Sequence, residues 1–196
     1  MVFPPDQCDR RAREVAGVVL DVDGVLTDAA LFYGPRGESL KRFSARDGFA
    51  IKLAQSEGIS VAILSGRLAP PLRARLTDLG IPSDLVIQGS RDKGRDVLQL
   101  SERMAIPPER LAFMGDDLPD LPALGLVAFA ACPADAAPEV RTRCHLVCAA
   151  PGGAGAVREL IEVILRARGR WEEIVESWVR GSARLVLDAS AAKEKR

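Results

Sequence analysis

Short apolar runs rich in Val, Ile and Leu recur along this chain, each closed by a glycine or polar turn and followed by residues with helical spacing. That alternation restricts the fold severely. Strands separated by helices pair in parallel, and a parallel sheet must be covered by helices on both faces. The runs predict strands at Gly17–Asp23, Ile59–Leu64, Asp84–Gln88, Leu111–Met114, Val127–Ala130 and His145–Cys148. The 3.6-residue spacing predicts helices at Asp47–Glu57, Leu68–Leu79, Arg91–Met104, Asp117–Leu124, Ala134–Arg141, Ala156–Ala167 and Trp171–Val179. Two extended runs, Ala29–Tyr33 and Glu38–Phe43, flank Gly34-Pro35-Arg36-Gly37 and predict a β-hairpin inserted after the first strand.

Length and charge narrow the functional classes. The 196 residues suit one domain, and 47% hydrophobic content supplies a full core. Lys plus Arg and Asp plus Glu number 27 each, so nothing in the charge balance favours nucleic acid or an anionic membrane. Aromatics at 5% do not make a base-stacking surface. No apolar run approaches the ~18 residues of a membrane span, and Met1–Ala16 lacks the apolar core of a signal peptide. A cytoplasmic protein is expected. Its organisation reads as a polar segment over 1–16, one domain over 17–180, and a mobile Ala- and Lys-rich tail over 181–196.

Cys8, Cys132, Cys144 and Cys148 are expected to be reduced thiols packed as small hydrophobes. Cys144-His145-Leu146-Val147-Cys148 has no second ligand pair to complete a zinc site. His145, the single histidine, is expected to be a packing or surface residue.

The chemistry-bearing residues all fall just after predicted strands. Asp21 and Asp23 end the first, Ser65-Gly66-Arg67 the second, and Gly115-Asp116-Asp117 the fourth, with Asp120 one turn on. Lys93 follows the third strand in Gly89-Ser90-Arg91-Asp92-Lys93. In a parallel sheet these ends share one edge, where ligands bind. A carboxylate ionised at neutral pH can attack phosphorus without a base, which suits Asp21 as nucleophile. Asp23 suits an acid that protonates the leaving alcohol and then activates water. The carboxylate cluster calls for a hard cation, and Mg2+ held with Asp116 fits. Ser65 and the neighbouring amides, Gly66 included, can hold phosphate oxygens, and Lys93 adds positive charge. Asp117 reads equally as a helix cap or as part of the metal surroundings.

In order, these motifs resemble those of the haloacid dehalogenase superfamily of phosphohydrolases. The likeness is closest to its 3-deoxy-D-manno-octulosonate 8-phosphate (KDO 8-phosphate) phosphatase subgroup. It rests on Asp21–Asp28, the hairpin through Lys41-Arg42-Phe43, Arg46-Asp47-Gly48, Ser65-Gly66-Arg67, Gln88-Gly89 with Asp92-Lys93, Gly115–Pro122, and Gly152-Gly153-x-Gly155 through Glu159. The resemblance covers about Gly17 to Trp178. It implies an α/β, three-layer Rossmann-like parallel sheet with no large cap domain. It also implies Mg2+ bound by Asp21, the Asp23 carbonyl and Asp116, and phosphate bound by Ser65 and Lys93. Asp120 would orient Lys93 or the metal surroundings, with Asp117 beside it. Thr27, Arg67 and Arg46 become candidates for the substrate, a small sugar phosphate, and Lys41 or Arg42 could share its carboxylate. A homotetramer is implied, with the hairpin contacting neighbours. Ala154 and Ser44-Ala45 depart from the usual pattern and leave the sugar open. A KDN or sialic acid 9-phosphate phosphatase, a domain fused to a cytidylyltransferase, and a silent tetrameric scaffold are the other readings. A phospho-receiver module is disfavoured because Asp21 ends the first strand rather than a middle one.

Overall fold

The computed structural model describes residues 5–35 and 37–183, with the backbone alone for 5–8. Six strands form one sheet. They are β1 (Gly17–Leu20), β4 (Ser60–Ser65), β5 (Val86–Gln88), β6 (Leu111–Met114), β7 (Phe129–Cys132) and β8 (Leu146–Val147). Their order is β5-β4-β1-β6-β7-β8, and every pair is parallel. β2 (Phe32–Gly34) and β3 (Gly37–Leu40) pair antiparallel as the hairpin, outside the main sheet. The α/β architecture read from the alternation is present, and among the described residues no large cap domain accompanies it.

Strand alternation builds two cores from one sheet. Val18 and Leu20 point to one face and Val19 to the other, and the neighbours follow suit: Val61 and Ile63 against Ala62 and Leu64, Ala112 and Met114 against Leu111 and Phe113. On the first face lie α1 (Pro5–Glu14), α2 (Ala45–Ser56), α3 (Pro70–Asp78), α7 (Ala156–Ala167) and α8 (Trp171–Val179). On the second lie α4 (Lys93–Met104), α5 (Leu121–Leu124) and α6 (Pro138–Arg141). Three layers result. Cys132, Cys144 and Cys148 are free and buried in these cores, while the Cys8 side chain lies outside the described residues. His145 stacks on Phe129 at 5.8 Å and accepts the Ala130 N–H through Nδ1 at 2.9 Å.

Several boundaries differ from the sequence expectation for local reasons. β1 stops at Leu20 because the Val22 carbonyl accepts the amides of Val25, Leu26 and Thr27, which turns the chain. β7 starts two residues later than expected, since Ala128 is held off the sheet by its bond to the Pro108 carbonyl. Asp117–Leu124 divides into a 3-10 turn at Leu118–Asp120 and the short α5. Pro5–Glu14, within the segment read only as polar, is a helix whose buried edge is Ala12, followed by buried Val15, packed on α7. Of the tail expected over 181–196, only 181–183 fall within the described residues.

The chain order places β1 between β4 and β6. It runs outward from β1 to β4 and β5, then returns to β6 on the other side. The point where strand order reverses lies at the C-terminal ends of β1 and β6, where open α/β sheets bind ligands.

Candidate active site

Asp21 follows β1 directly, its N–H bonded to the Met114 carbonyl of β6 at 3.0 Å. Leu20 lies level with Met114, so Asp21 and Asp116 leave adjacent strands side by side. Among the described residues, Asp21, Asp116 and Asp120 gather carboxylate oxygens within 4.8 Å of one another. Lys93, at the first residue of α4, reaches in with Nζ 3.0 Å from Asp21 Oδ1 and 2.5 Å from Asp120 Oδ1. Asp21, Lys93 and Asp120 are all buried.

Asp120 is the hinge of the cluster. One oxygen takes Lys93, while the other accepts the N–H groups of Asp116 and Asp117 at 2.9 and 3.2 Å. That fixes the Gly115-Asp116-Asp117 turn from within. Asp117 is exposed and its carboxylate accepts the Leu118 N–H at 2.8 Å, so it caps the 3-10 turn.

Three acids share one lysine, and their electrostatics show it. Burial, then the Asp120 charge, pushes the Asp21 carboxyl up to about 7 against the pull of Lys93. Burial, then Asp21 and Asp120, lifts Asp116 to about 8. Burial pulls the Lys93 ammonium down, but Asp21 and Asp120 more than offset this, so it stays charged. Crowded, buried carboxylate oxygens with a surplus of negative charge are the donor set of a hard divalent cation.

Asp23 takes another direction. Its carboxylate is not in that cluster. Oδ1 pairs with Lys41, and Oδ2 lies 3.6 Å from Arg67 Nε. Lys41 also pairs with Glu38 at 2.7 Å, and Arg67 Nη2 bonds Glu38 at 3.0 Å and Tyr33 at 3.2 Å. Asp23, Lys41, Glu38 and Arg67 thus form a ring of alternating charge that closes the chain's own hairpin over the strand ends. Glu38 and its contact with Lys41 went unnoticed in the sequence. Only the hairpin register, which sets Glu38 opposite Tyr33, brings them there.

The other candidates divide. Ser65, ending β4, is buried, and its hydroxyl accepts the Arg67 N–H and donates to the Arg67 carbonyl, both at 3.2 Å. The exposed Gly66 borders Lys93: a β-carbon there would lie 4.0 Å from Lys93 Cε. Ser90, given no role by the sequence pattern, has a buried hydroxyl without a hydrogen-bond partner in the loop that bonds the Ser65 carbonyl at 3.0 Å. An unpartnered hydroxyl beside the site suits a phosphate oxygen. Thr27 is buried, and its hydroxyl lies 3.3 Å from both the Val22 carbonyl and the Ala29 N–H, so it serves the turn itself. Arg46 is exposed on the first turn of α2, and Arg42 pairs with Asp28 at 2.7 Å.

No family model matches the chain. Individual proteins do. The chain is 40% identical over 163 residues to the KDO 8-phosphate phosphatase KdsC of Escherichia coli K12, covering 83% of this chain and 86% of that one. The cobalt-bound KDO 8-phosphate phosphatase of Haemophilus influenzae superposes with a TM-score of 0.82 at 37% identity, over 86% of this chain and 99% of that one. The Moraxella catarrhalis enzyme, solved with magnesium, phosphate and KDO, gives 0.84 at 30% identity over 89% and 99%. With identity at that level across most of both chains, and the same fold around the carboxylate cluster, this chain belongs to the KDO 8-phosphate phosphatase family of hydrolases.

Proposed function

We propose that this protein hydrolyses KDO 8-phosphate to KDO and phosphate in the cytoplasm, through an aspartyl-phosphate on Asp21, with Mg2+ as cofactor. The Asp21–Lys93–Asp120–Asp116 cluster at the sheet's switch point carries the reading. An oxygen of Asp21 attacks phosphorus as the bond to the sugar oxygen breaks, and Asp23 donates a proton to that oxygen. Asp23 then takes a proton from water as the water attacks phosphorus, which breaks the bond to Asp21 and frees phosphate. Lys93 faces the phosphoryl oxygens and offsets their charge. Asp21 and Asp116 would hold the cation together with the Asp23 carbonyl. A bound Mg2+ supplies charge neutralisation at the phosphoryl group.

The Lys41 pairing bears on Asp23. Lys41 fastens the acid/base carboxylate to the hairpin, so an arriving sugar phosphate has to share or displace that contact. Arg46, exposed, and Arg67, partly exposed while paired with Glu38, are then the cations best placed for a sugar carboxylate, and Lys41 would reach it only by giving up Asp23 or Glu38. The hairpin also carries exposed apolar side chains, Phe32, Tyr33 and Leu40, with Leu31 just before it. Clustered exposure of this kind suits a subunit contact, and a homotetramer built on the hairpin is part of the proposal. Among the described residues no helix is long and apolar enough to cross a membrane.

Phosphate release from a panel of sugar phosphates tests the reading: KDO 8-phosphate, KDN 9-phosphate, sialic acid 9-phosphate and hexose phosphates, each with Mg2+ and with EDTA. Mg2+-dependent turnover favouring KDO 8-phosphate is expected. Preference for a nine-carbon acid would keep the chemistry and overturn the substrate. No turnover of any member would leave a silent scaffold.

A further inference from the structure

Asp47 is buried and belongs to none of the steps above. It sits in the first turn of α2, where Ser44 caps the helix by accepting the Asp47 N–H at 3.3 Å. A carboxylate at that position ordinarily folds back onto its own helix. Asp47 instead reaches across to α7, 108 residues on. Oδ2 accepts the Gly155 N–H at 3.1 Å and Oδ1 the Arg158 N–H at 2.8 Å. The amides at the start of α7 are therefore capped from another helix.

The reason lies in the loop before α7. Gly155 occupies the N-cap with φ +121°, a conformation that side chains rarely adopt, so α7 can carry no cap of its own there. Gly152 and Gly153 precede it, pressed against the turn that follows Asp23. A β-carbon on Gly152 would run into the Gly24 carbonyl, and one on Gly153 into the Thr27 backbone. Gly153 also donates its N–H to the Val25 carbonyl at 2.9 Å. One continuous path thus joins the Asp47 carboxylate to the start of α7, to the glycine loop, and to the turn carrying Asp23. Neither the Lys93 cluster nor the hairpin ring supports that turn from this side.

We infer that Asp47 is a positioning residue for the reaction: by anchoring α7 it holds the 152–155 loop against Gly24–Thr27 and so fixes the turn that presents Asp23. The inference rests on the phosphatase reading above, and one of its measurements does not depend on that reading. Asp47→Asn keeps the shape but sets an amide N–H2 against one of two backbone N–H donors. At saturating Mg2+, kcat on KDO 8-phosphate should fall about tenfold or more, with KM changed less than about threefold, because misplaced reacting groups cost rate more than binding. Amide hydrogen exchange should speed up over 22–28 as well as over 150–158. Ile161→Val, a buried α7 change away from the loop, is the control. It should lower thermal stability without altering kcat or exchange over 22–28.

Faster exchange confined to 150–158, with kcat intact, would reduce Asp47 to a helix cap and overturn the inference. An equal kcat loss in Ile161→Val would overturn it too, by assigning the effect to stability. Should Asp47→Asn not fold, Asp47→Glu, which moves the charge by one methylene, makes the same comparison. If the wild type turned over no sugar phosphate, the functional reading would fail, while exchange over 22–28 would still decide whether Asp47 holds the turn.

Discussion

Asp120→Asn exposes the logic of the carboxylate cluster because no orientation of the new side chain satisfies its surroundings. Asp120 Oδ1 meets the Lys93 ammonium at 2.5 Å, and Oδ2 accepts two backbone N–H groups at 2.9 and 3.2 Å. All of these partners are donors. An asparagine has one oxygen, so its N–H2 must face either Lys93 or the Asp116 and Asp117 amides. Breaking a buried charge pair costs about 3–5 kcal/mol. Lys93 keeps Asp21 at 3.0 Å, and the removed charge relieves repulsion on Asp21 and Asp116. The net loss should therefore be smaller, about 2 kcal/mol. With a urea m-value of about 2 kcal/mol/M for a domain of this size, the unfolding midpoint should drop by about 1 M in the metal-free protein. Losing the orientation of Lys93 should also lower kcat by roughly a hundredfold. Urea unfolding followed by tryptophan fluorescence and a phosphate-release assay measure both. An unchanged midpoint together with unchanged kcat would refute the reasoning, since it would mean that Asp120 neither holds Lys93 nor fixes the Asp116 turn.

Other predictions concern the same cluster and the hairpin. Asp21→Asn should abolish turnover, by roughly a thousandfold or more, while circular dichroism and the urea midpoint stay native or improve, because the change is isosteric and removes a crowded charge. In EDTA the protein should lose stability as pH rises from about 4 to about 8. Asp21 and Asp116 keep protons in the folded state up to about 7 and about 8, while the unfolded chain releases them near the ordinary 3.8. The proposed Mg2+ would bind the deprotonated cluster, so its stabilisation should grow across that window; thermal melts with and without Mg2+ that differ by a constant amount from pH 5 to pH 8 would contradict this. Replacing exposed Phe32 or Leu40 with lysine should lower the mass measured by light scattering, and an unaltered tetramer or a monomeric wild type would remove the hairpin from the assembly.

Much of the fold was legible because the determining signals are local. α7 and α8 begin and end where their apolar spacing and flanking glycines say, and β6 likewise runs from Leu111 to Met114. α1 escapes a sequence reading because its buried edge is a single alanine, Ala12, among charged residues, and it gains its place by packing on α7 and against β7. Val127 looked like a strand residue because it is apolar, yet it is buried outside the sheet, just before β7.

The site was legible in part for the same reason. Asp21, Ser65, Lys93 and Asp116 end or follow strands or open a helix, and parallel topology brings such ends to one edge. The motif pattern that suggested the haloacid dehalogenase superfamily led to the same family that the relatives represent. What could not be read were contacts made by side chains across long separations. Asp23 meets Lys41 across a hairpin, and Asp47 reaches Gly155 and Arg158 from another helix. Only the folded geometry decides which acid each cation meets.

The proposed mechanism turns on a covalent phosphoryl group on Asp21. Mixing the enzyme with substrate and Mg2+, quenching in acid within a fraction of a turnover, and digesting for mass spectrometry would test it most directly, with Asp23→Asn used to slow release of the intermediate. One added phosphoryl group is expected on the peptide containing Asp21. Steady turnover with no phosphorylated peptide at any quench time, or a phosphoryl group on another residue, would contradict it.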